Sequence, residues 1–473
     1  MKLVRIFLII FCIFMFAHEY SFAHAFSTED SQLDSTLYET VDRTLEGEFR
    51  MESKKMYFPN GDLYNITRIY SNSSTLRTKE IMIEILGKQG SFRYIKHHSV
   101  KEWDTVPLEH TLPEGTGFVE TDLKHYLVSA PRVYKQGAYH TLEDVGQTVP
   151  VRIAETEDGY FLQISFPLRK DRFGEIWYLE SSHPLMDWSN QTLEKVWLAL
   201  DMDVSQRWSW DGFYVITPAT YSPSGKNIFW RIPDNYLARS FILTGGSRAA
   251  EDLGWMMLRT IVPNQNAFGF WETSPRSEWL WKEYRIPHGF YDTRFNTDIA
   301  YLLLKGYQKY NDELLYDSNK KYADFLLSHI EKNHFVIKGK ERDGWLVQDY
   351  SSSNPNAKPT HSSLNHQLQE INYLLEMYLH TEDMAYRDYA EKLLYGIKNS
   401  KSKWIMPNHN LEYAYLPNGK MGYVDYPFLT YNDLYETQRL LKKIYGSLDP
   451  DLQELMDHKK RWMDANQITG YKK

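Results

Sequence analysis

YLLLKGY at 301–307, YLLEMY at 373–378 and LLKKIY at 440–445 are one pattern written three times, at intervals of about 70 residues. Each sets a leucine pair shortly before a tyrosine, a spacing that gathers the three side chains on one helical face. A helix of this kind cannot cover its apolar stripe alone, so repeated copies stack and bury one another. The windows around them carry the same three-and-four periodicity: SRAAEDLGWMMLRTI (247–261), SNKKYADFLLSHIEKN (318–333), YRDYAEKLLYGIK (386–398) and LDPDLQELMDHKKRWMD (448–464). From about Asp234 onward the chain reads as all-helical.

Ahead of that point the period shortens to two. IMIEIL (81–86), YFLQISFPL (160–168), EIWYLES (175–181), FYVITPATY (213–221) and NIFWRI (227–232) are β-branched or aromatic runs bounded by turn residues. They read as antiparallel sheet, with NQTLEKVWLALDMD (190–203) the one clear helix among them. The expected fold is α+β and multidomain. A β-rich domain over 26–235 is followed by a complete or partial α/α toroid over 236–473.

Residues 1–25 place Lys2 and Arg5 before an apolar run and end in Ala23-His24-Ala25. This is the layout of a secretory signal peptide, with an uncleaved anchor as the alternative, and it implies a secreted or cell-surface protein. The only cysteine, Cys12, lies inside that segment, so disulfides and thiolate metal sites are excluded from the rest. The net formal charge is −8, with no Lys/Arg block of the kind that neutralises a nucleic-acid backbone. No cofactor motif is present. Aromatic residues make up 15% of the chain and tyrosine alone contributes 35, an excess suited to stacking on sugar rings.

Each repeated helix is preceded by a long loop rich in aromatics and turn formers: WKEYRIPHGFYDT (281–293), GWLVQDYSSSNPNAKPT (344–360) and LEYAYLPNGKMGYVDYP (411–427). In a toroid the inner helices start at one rim, so these loops converge. The first offers His288, Asp292 and Arg294. Arg294 suits a sugar carboxylate by its planar fork, or else pairs with Asp298 four residues on. The second leads through Tyr350 to His361 and Asn365, with Thr360 or Ser362 as the expected helix cap. His361 and His366 are five residues apart and no HExxH glutamate is present, so zinc is not expected. The third turns at LPNGK, placing Tyr413 and Tyr415 on one short strand opposite Tyr423, with Asp425 and Tyr426 just outside the next helix. Phenols there act as acid or base if nearby cations lower their pKa.

The DYPFLTYNDLYETQRLL helix start (425–441), behind a β-rich half and an α/α half, resembles the D-glucuronyl C5-epimerases of heparosan-type polysaccharides. Asp425 and Tyr426 fall on that family's Asp-Tyr, Asn432 lies near its Asn, and Pro427 stands where its first His would be. The resemblance implies an isomerase exchanging the C5 proton of a uronate through Tyr426 and Tyr413 or Tyr415. Arg294, His361 and Asn365 would neutralise the carboxylate, an acidic polysaccharide or other glycan would be the partner, and a homodimer is possible. Two other classes stay open. A hydrolase or lyase would draw on Asp292, Asp343, Asp349, Glu412 and Asp425, and a glycan-binding envelope protein would only grip.

Overall fold

The computed structural model describes residues 37–97 and 101–472, so the signal segment and Cys12 lie outside the described residues. The described chain falls into two compact units that meet between Pro263 and Asn264.

The first unit is built on antiparallel sheets of thirteen and three strands among the described residues. Their facing surfaces follow from strict alternation. Along Gly159–Leu168 every second residue points inward, and Leu162, Ile164, Phe166 and Leu168 are fully buried. With Ile83 and Ile85 of the neighbouring strand Arg77–Leu86 they meet Ile69, Val119, Tyr126, Val133 and Ile176 of the larger sheet in one core. Each such side chain contributes about 1.5–3 kcal/mol through burial. Gly174 of the large sheet marks how closely the layers approach, since a Cβ there would stand 2.5 Å from the Phe166 ring.

Three helices complete this unit: α1 (Gln191–Leu200), α2 (Tyr236–Leu243) and α3 (Arg248–Ile261), capped by the side chains of Asn190, Asn235 and Ser247. The periodicity changes near residue 235, yet α2 and α3 stay with the sheets, so the spatial boundary falls later than the expected one. The reason is a buried charge cluster. Arg248 reaches Asp62 through Nε at 2.5 Å and Nη2 at 3.0 Å, and Asn60 ties Asp62's loop to Asp252 by a 2.8 Å hydrogen bond. Burial, with Asp62 beside it, pushes the Asp252 carboxyl up.

The second unit is helical: α4 (Glu278–Tyr284), α5 (Thr293–Tyr310), α6 (Glu313–Lys332), α7 (Leu364–Thr381), α8 (Met384–Asn399), α9 (Lys401–Trp404), α10 (Leu429–Tyr445) and α11 (Pro450–Ala465). The pairs α5/α6, α7/α8 and α10/α11 are three successive hairpins, and α7 touches both α5 and α10. Each hairpin turns by the same chemistry. A left-handed residue ends the first helix (Asn311, Glu382, Gly446) and an aspartate caps the second (Asp312, Asp383, Asp449). Within α7 every residue from Leu364 to Met377 is buried, polar ones included. The three inner-helix starts are stitched by short ladders. Tyr291–Asp292 pairs with Tyr350–Ser351, while Ser362–Ser363 pairs with Glu412–Tyr415, which pairs with Met421–Val424. The aromatic loops therefore share one rim. Among the described residues no helix is long and apolar enough to cross a membrane.

Replacing Arg248 by Ala leaves Asp62 and Asp252 buried beside each other without their cation. Urea denaturation should show a loss of about 3–5 kcal/mol at pH 8. The loss should be smaller at pH 4, where the stranded carboxyls can protonate.

Candidate functional site

The rim is organised around Asp349, which is 0% exposed. Its backbone joins two loops: its carbonyl accepts from Thr293 N at 2.9 Å, and its N–H donates to the carbonyl of His361 at 2.9 Å. Its carboxylate accepts from Ser363 N at 2.8 Å and Ser363 Oγ at 2.5 Å. His361 Nε2 stands 3.3 Å from Oδ2, and His366 Nδ1 3.7 Å. Burial alone would raise this carboxyl, but His366, His361 and the Ser363 hydroxyl outweigh it and hold Asp349 below the ordinary carboxylate range. Ser363 is the residue at the N-cap of α7, yet it makes no side-chain cap bond because Asp349 takes its hydroxyl. The cap expected from Thr360 or Ser362 is therefore absent. Thr360 Oγ1 donates to the Tyr350 carbonyl at 3.2 Å, and Ser362 Oγ donates to Gln367 Oε1 at 3.3 Å.

His361 is wholly buried inside a cage of rings. Its centroid lies 5.3 Å from Trp279, 5.5 Å from Tyr284, 5.6 Å from Tyr350, 5.8 Å from Tyr413 and 6.2 Å from Tyr423. Its Nδ1 meets Tyr284 Oη at 2.9 Å. With Asp349 facing Nε2, the Nε2–H tautomer suits both neighbours. His361 is thus a support for the loops and has no surface to offer a ligand. His366 takes Thr293 Oγ1 at 2.8 Å, and burial, reinforced by Arg294, lowers its pKa to about 4. Among the described residues no group of three or more His, Cys, Asp or Glu side chains could hold a metal ion.

The phenols lie at the edge of this cage. Tyr413 and Tyr426 meet edge to face at 5.7 Å, and both are half-buried. The Tyr413 ring also stands 5.8 Å from the His361 ring, so the phenol pair borders the cage directly. The strand that carries Tyr413 pairs with Ser362–Ser363, so the phenols stand beside the Ser363–Asp349 bond. Tyr423, across the hairpin from Tyr413, is 38% exposed and adopts φ +68°, a left-handed conformation uncommon for a bulky residue. The expectation that cations lower these phenol pKa values is corrected. Burial raises Tyr413, aided by Tyr426. Burial also raises Tyr426, aided by Asp425 and only partly offset by Arg294.

Arg294 is committed within the protein. It donates through Nε to Asp298 at 2.8 Å, through Nη1 to Asp433 at 2.6 Å and to the Asn365 carbonyl at 3.1 Å, and through Nη2 to Asp433 at 3.3 Å. Asn365 itself is 2% exposed. Tyr350 is packed edge to face on Phe290 at 5.9 Å. Asp292 caps α5 by accepting from Phe295 N at 3.0 Å, and burial pushes its carboxyl up to about 8, with Asp349 adding to the rise. Asp425 pairs with Lys459. The structure thus brings Tyr413, Tyr426, Tyr350, His361, Asp292, Arg294, Asn365 and Asp425 to one rim. Two candidates stand apart from the phenol pair. Tyr415 packs on Phe335 at 5.5 Å beneath Lys403, and His288 Nδ1 accepts from Arg276 N at 2.8 Å.

Sequence reasoning missed Ser363, Tyr284, Trp279 and Lys459. Lys459 left a legible trace, as the one cation on the stripe Leu452, Leu455, Met456, Met463 of α11. The others left none, because ring packing and a diverted cap depend on partners tens of residues away.

The two buried titrations have opposite signs. His366 stays neutral in the folded chain down to about 4. The unfolded chain binds that proton from about 6.5, so stability falls as pH drops through this window, by up to about 3 kcal/mol. Asp292 holds its proton up to about 8, so its contribution falls as pH rises from about 4. Asp292→Asn keeps the cap and should raise the melting temperature relative to wild type at pH 8 but not at pH 4. His366→Gln should flatten the acid limb.

No protein-family model and no curated protein matches the chain in sequence. Among solved structures it is similar to a D-mannose isomerase at 14% identity and TM-score 0.35, over 49% of this chain and 60% of that one. It is also similar to a family 76 glycoside hydrolase from a bovine Bacteroides thetaiotaomicron strain at 10% identity and TM-score 0.40, over 85% of this chain and 75% of that one. A third similarity is to the cellobiose 2-epimerase of Spirochaeta thermophila at 12% identity and TM-score 0.40, over 54% and 66%. The chain spans about six tenths of the length of the mannose isomerase it matches.

Proposed function

We propose that the protein is a glycan-modifying enzyme that works by proton transfer through tyrosine, in the manner of a uronate C5-epimerase. The observation that carries this reading is the pair of half-buried phenols, Tyr413 and Tyr426, in edge-to-face contact at 5.7 Å on the rim organised by the buried Asp349. A phenol whose pKa is raised ionises less readily, but its phenolate is the stronger base. For epimerisation one phenol, having lost its own proton to solvent, takes the C5 proton as a phenolate while the other, neutral, gives a proton to the opposite face of the same carbon, so Tyr426 and Tyr413 exchange protonation states in each turnover. A turnover in the opposite direction restores the starting protonation of both phenols. The phenols that remain neutral are donors for the enediolate that develops, as protonated groups in a dry site can be. Arg294, held by Asp298 and Asp433, has little left to give a carboxylate. The acidic polysaccharide, the exported location expected from residues 1–25, and action without a cofactor belong to this proposal.

A second reading is hydrolysis by two carboxylates, favoured by the opposed shifts of Asp292, pushed up to about 8, and Asp349, held low. Against it, Asp292 is 4% and Asp349 0% exposed, and both are engaged with backbone, while the half-buried phenols are the groups a substrate can reach.

Incubating the full chain with heparosan, alginate or polygalacturonate in heavy water should place deuterium at C5. Absence of label on all three overturns the epimerase reading, and new reducing ends would establish hydrolysis in its place. Tyr426→Phe should reduce label incorporation by about 10²–10⁴-fold. Asp349→Asn should also slow it, because the loops that present the phenols lose the charge to which Ser363 and His361 are bonded.

A further inference from the structure

Among the buried titratable groups that the mechanism leaves unused, Lys459 lies nearest to the Tyr426 backbone. Lys459, on α11, is 0% exposed, and its ammonium donates to Asn410 Oδ1 at 2.7 Å and to the backbone carbonyl of Tyr426 at 2.6 Å and is ion-paired with Asp425 Oδ2 at 2.6 Å. Asp425 is 1% exposed, and its other oxygen accepts from Thr430 Oγ1 at 2.5 Å. Asn410 is also buried, and the backbone beside it is tied to the same segment, since Asp425 N donates to the Leu411 carbonyl at 3.3 Å. The indole of Trp462 lies 4.7 Å from the ammonium. A lysine taken wholly out of water is costly unless every proton is bonded and a counter-charge is present. Here two hydrogen bonds and a counter-charge in contact meet that cost, and all three partners belong to the chain on either side of the hairpin that carries Tyr413 and Tyr423.

We infer that Lys459 is the positioning residue of the Tyr426 loop. It fixes the phenol by holding that residue's own carbonyl and the carboxylate next to it, from a helix that contributes no group to the reacting surface. The inference rests on the proposed role of Tyr426. The loop needs such an anchor because Phe428, at the N-cap of α10, makes no side-chain cap bond, so local capping does not order Asp425–Phe428. Lysine suits the task through its reach along an apolar stripe and a point charge that meets partners in three directions. Arginine, with a planar fork, would not reproduce the three directions.

The test compares the full-length wild type with the double variant Lys459→Met/Asp425→Asn. That variant removes both charges together, leaves no orphaned ion, and keeps an amide oxygen for Thr430. The control is Lys401→Met, which breaks the partly exposed pairs of Lys401 with Asp451 at 2.7 Å and Glu454 at 2.5 Å and so perturbs the docking of α11 away from Tyr426. Amide hydrogen exchange followed by mass spectrometry should show protection over 421–430 falling at least tenfold in the double variant and not in the control. C5 label incorporation from heparosan should show kcat reduced tenfold or more at nearly unchanged KM. Wild-type protection over 421–430 in a folded double variant overturns the inference, as does unchanged kcat in a protein whose wild type exchanges. If the wild type labels no uronan, the functional reading alone fails, and amide protection still decides the role of Lys459.

Discussion

A carboxylate that carries charge at 0% exposure has to be bonded from every side, and Asp349 meets that demand by drawing together parts of the chain that have no other reason to meet. Its backbone reaches α5 through Thr293 and the approach to α7 through His361, while its side chain takes both the N–H and the hydroxyl of Ser363. Removing water from the group strengthens each of these bonds and makes the loss of any one expensive. The result is a rim whose loops are fixed by hydrogen bonds and ring packing, with the phenols suspended from it.

That arrangement explains how stability and chemistry share the same atoms. Ser363 would ordinarily cap α7, and giving its hydroxyl to Asp349 forgoes a contribution of about 1 kcal/mol. The helix tolerates this because its first fourteen residues are buried against α5, α8 and α10, so tertiary packing and not its end holds it. Tyr423 at φ +68° is a second local cost at the same rim, retained by its neighbours Trp279 and Tyr413.

The helical windows and the alternating strands were legible because both follow from periodicity, and the convergence of the three loops was legible because a repeat forces equivalent segments to equivalent places. The LPNGK turn placed Tyr413 opposite Tyr423 correctly. What pattern could not supply was competition between partners. Arg294 looked available because Asp298 is its only near neighbour in sequence, while Asp433, which claims the rest of the guanidinium, is 139 residues away. Tyr415 shares a strand with Tyr413, yet its ring is taken up by Phe335 and Lys403, so parity along two residues did not make them neighbours in function. The change of period near 235 marked where the large sheet ends, at Ile228–Arg231, but hid the short strands that stitch the later loops; the later spatial boundary came from Arg248 reaching back to Asp62, a pairing no window can show.

The three hairpin bends at Asn311–Asp312, Glu382–Asp383 and Gly446–Asp449 sit at the ends of the inner helices opposite the stitched rim. Each turns on its own left-handed residue and aspartate cap, with Lys398 reaching Asp449 and His380 packing on Tyr307 and Tyr316, and none contacts Asp349 or the ring cage. Evolution and engineering alike are therefore freer at that end, where the chain can lengthen, accept an appended module or drift in composition while the phenols keep their places. Nothing comparable is open to the stitched end, where lengthening one loop by a single residue shifts the register of a ladder shared with another.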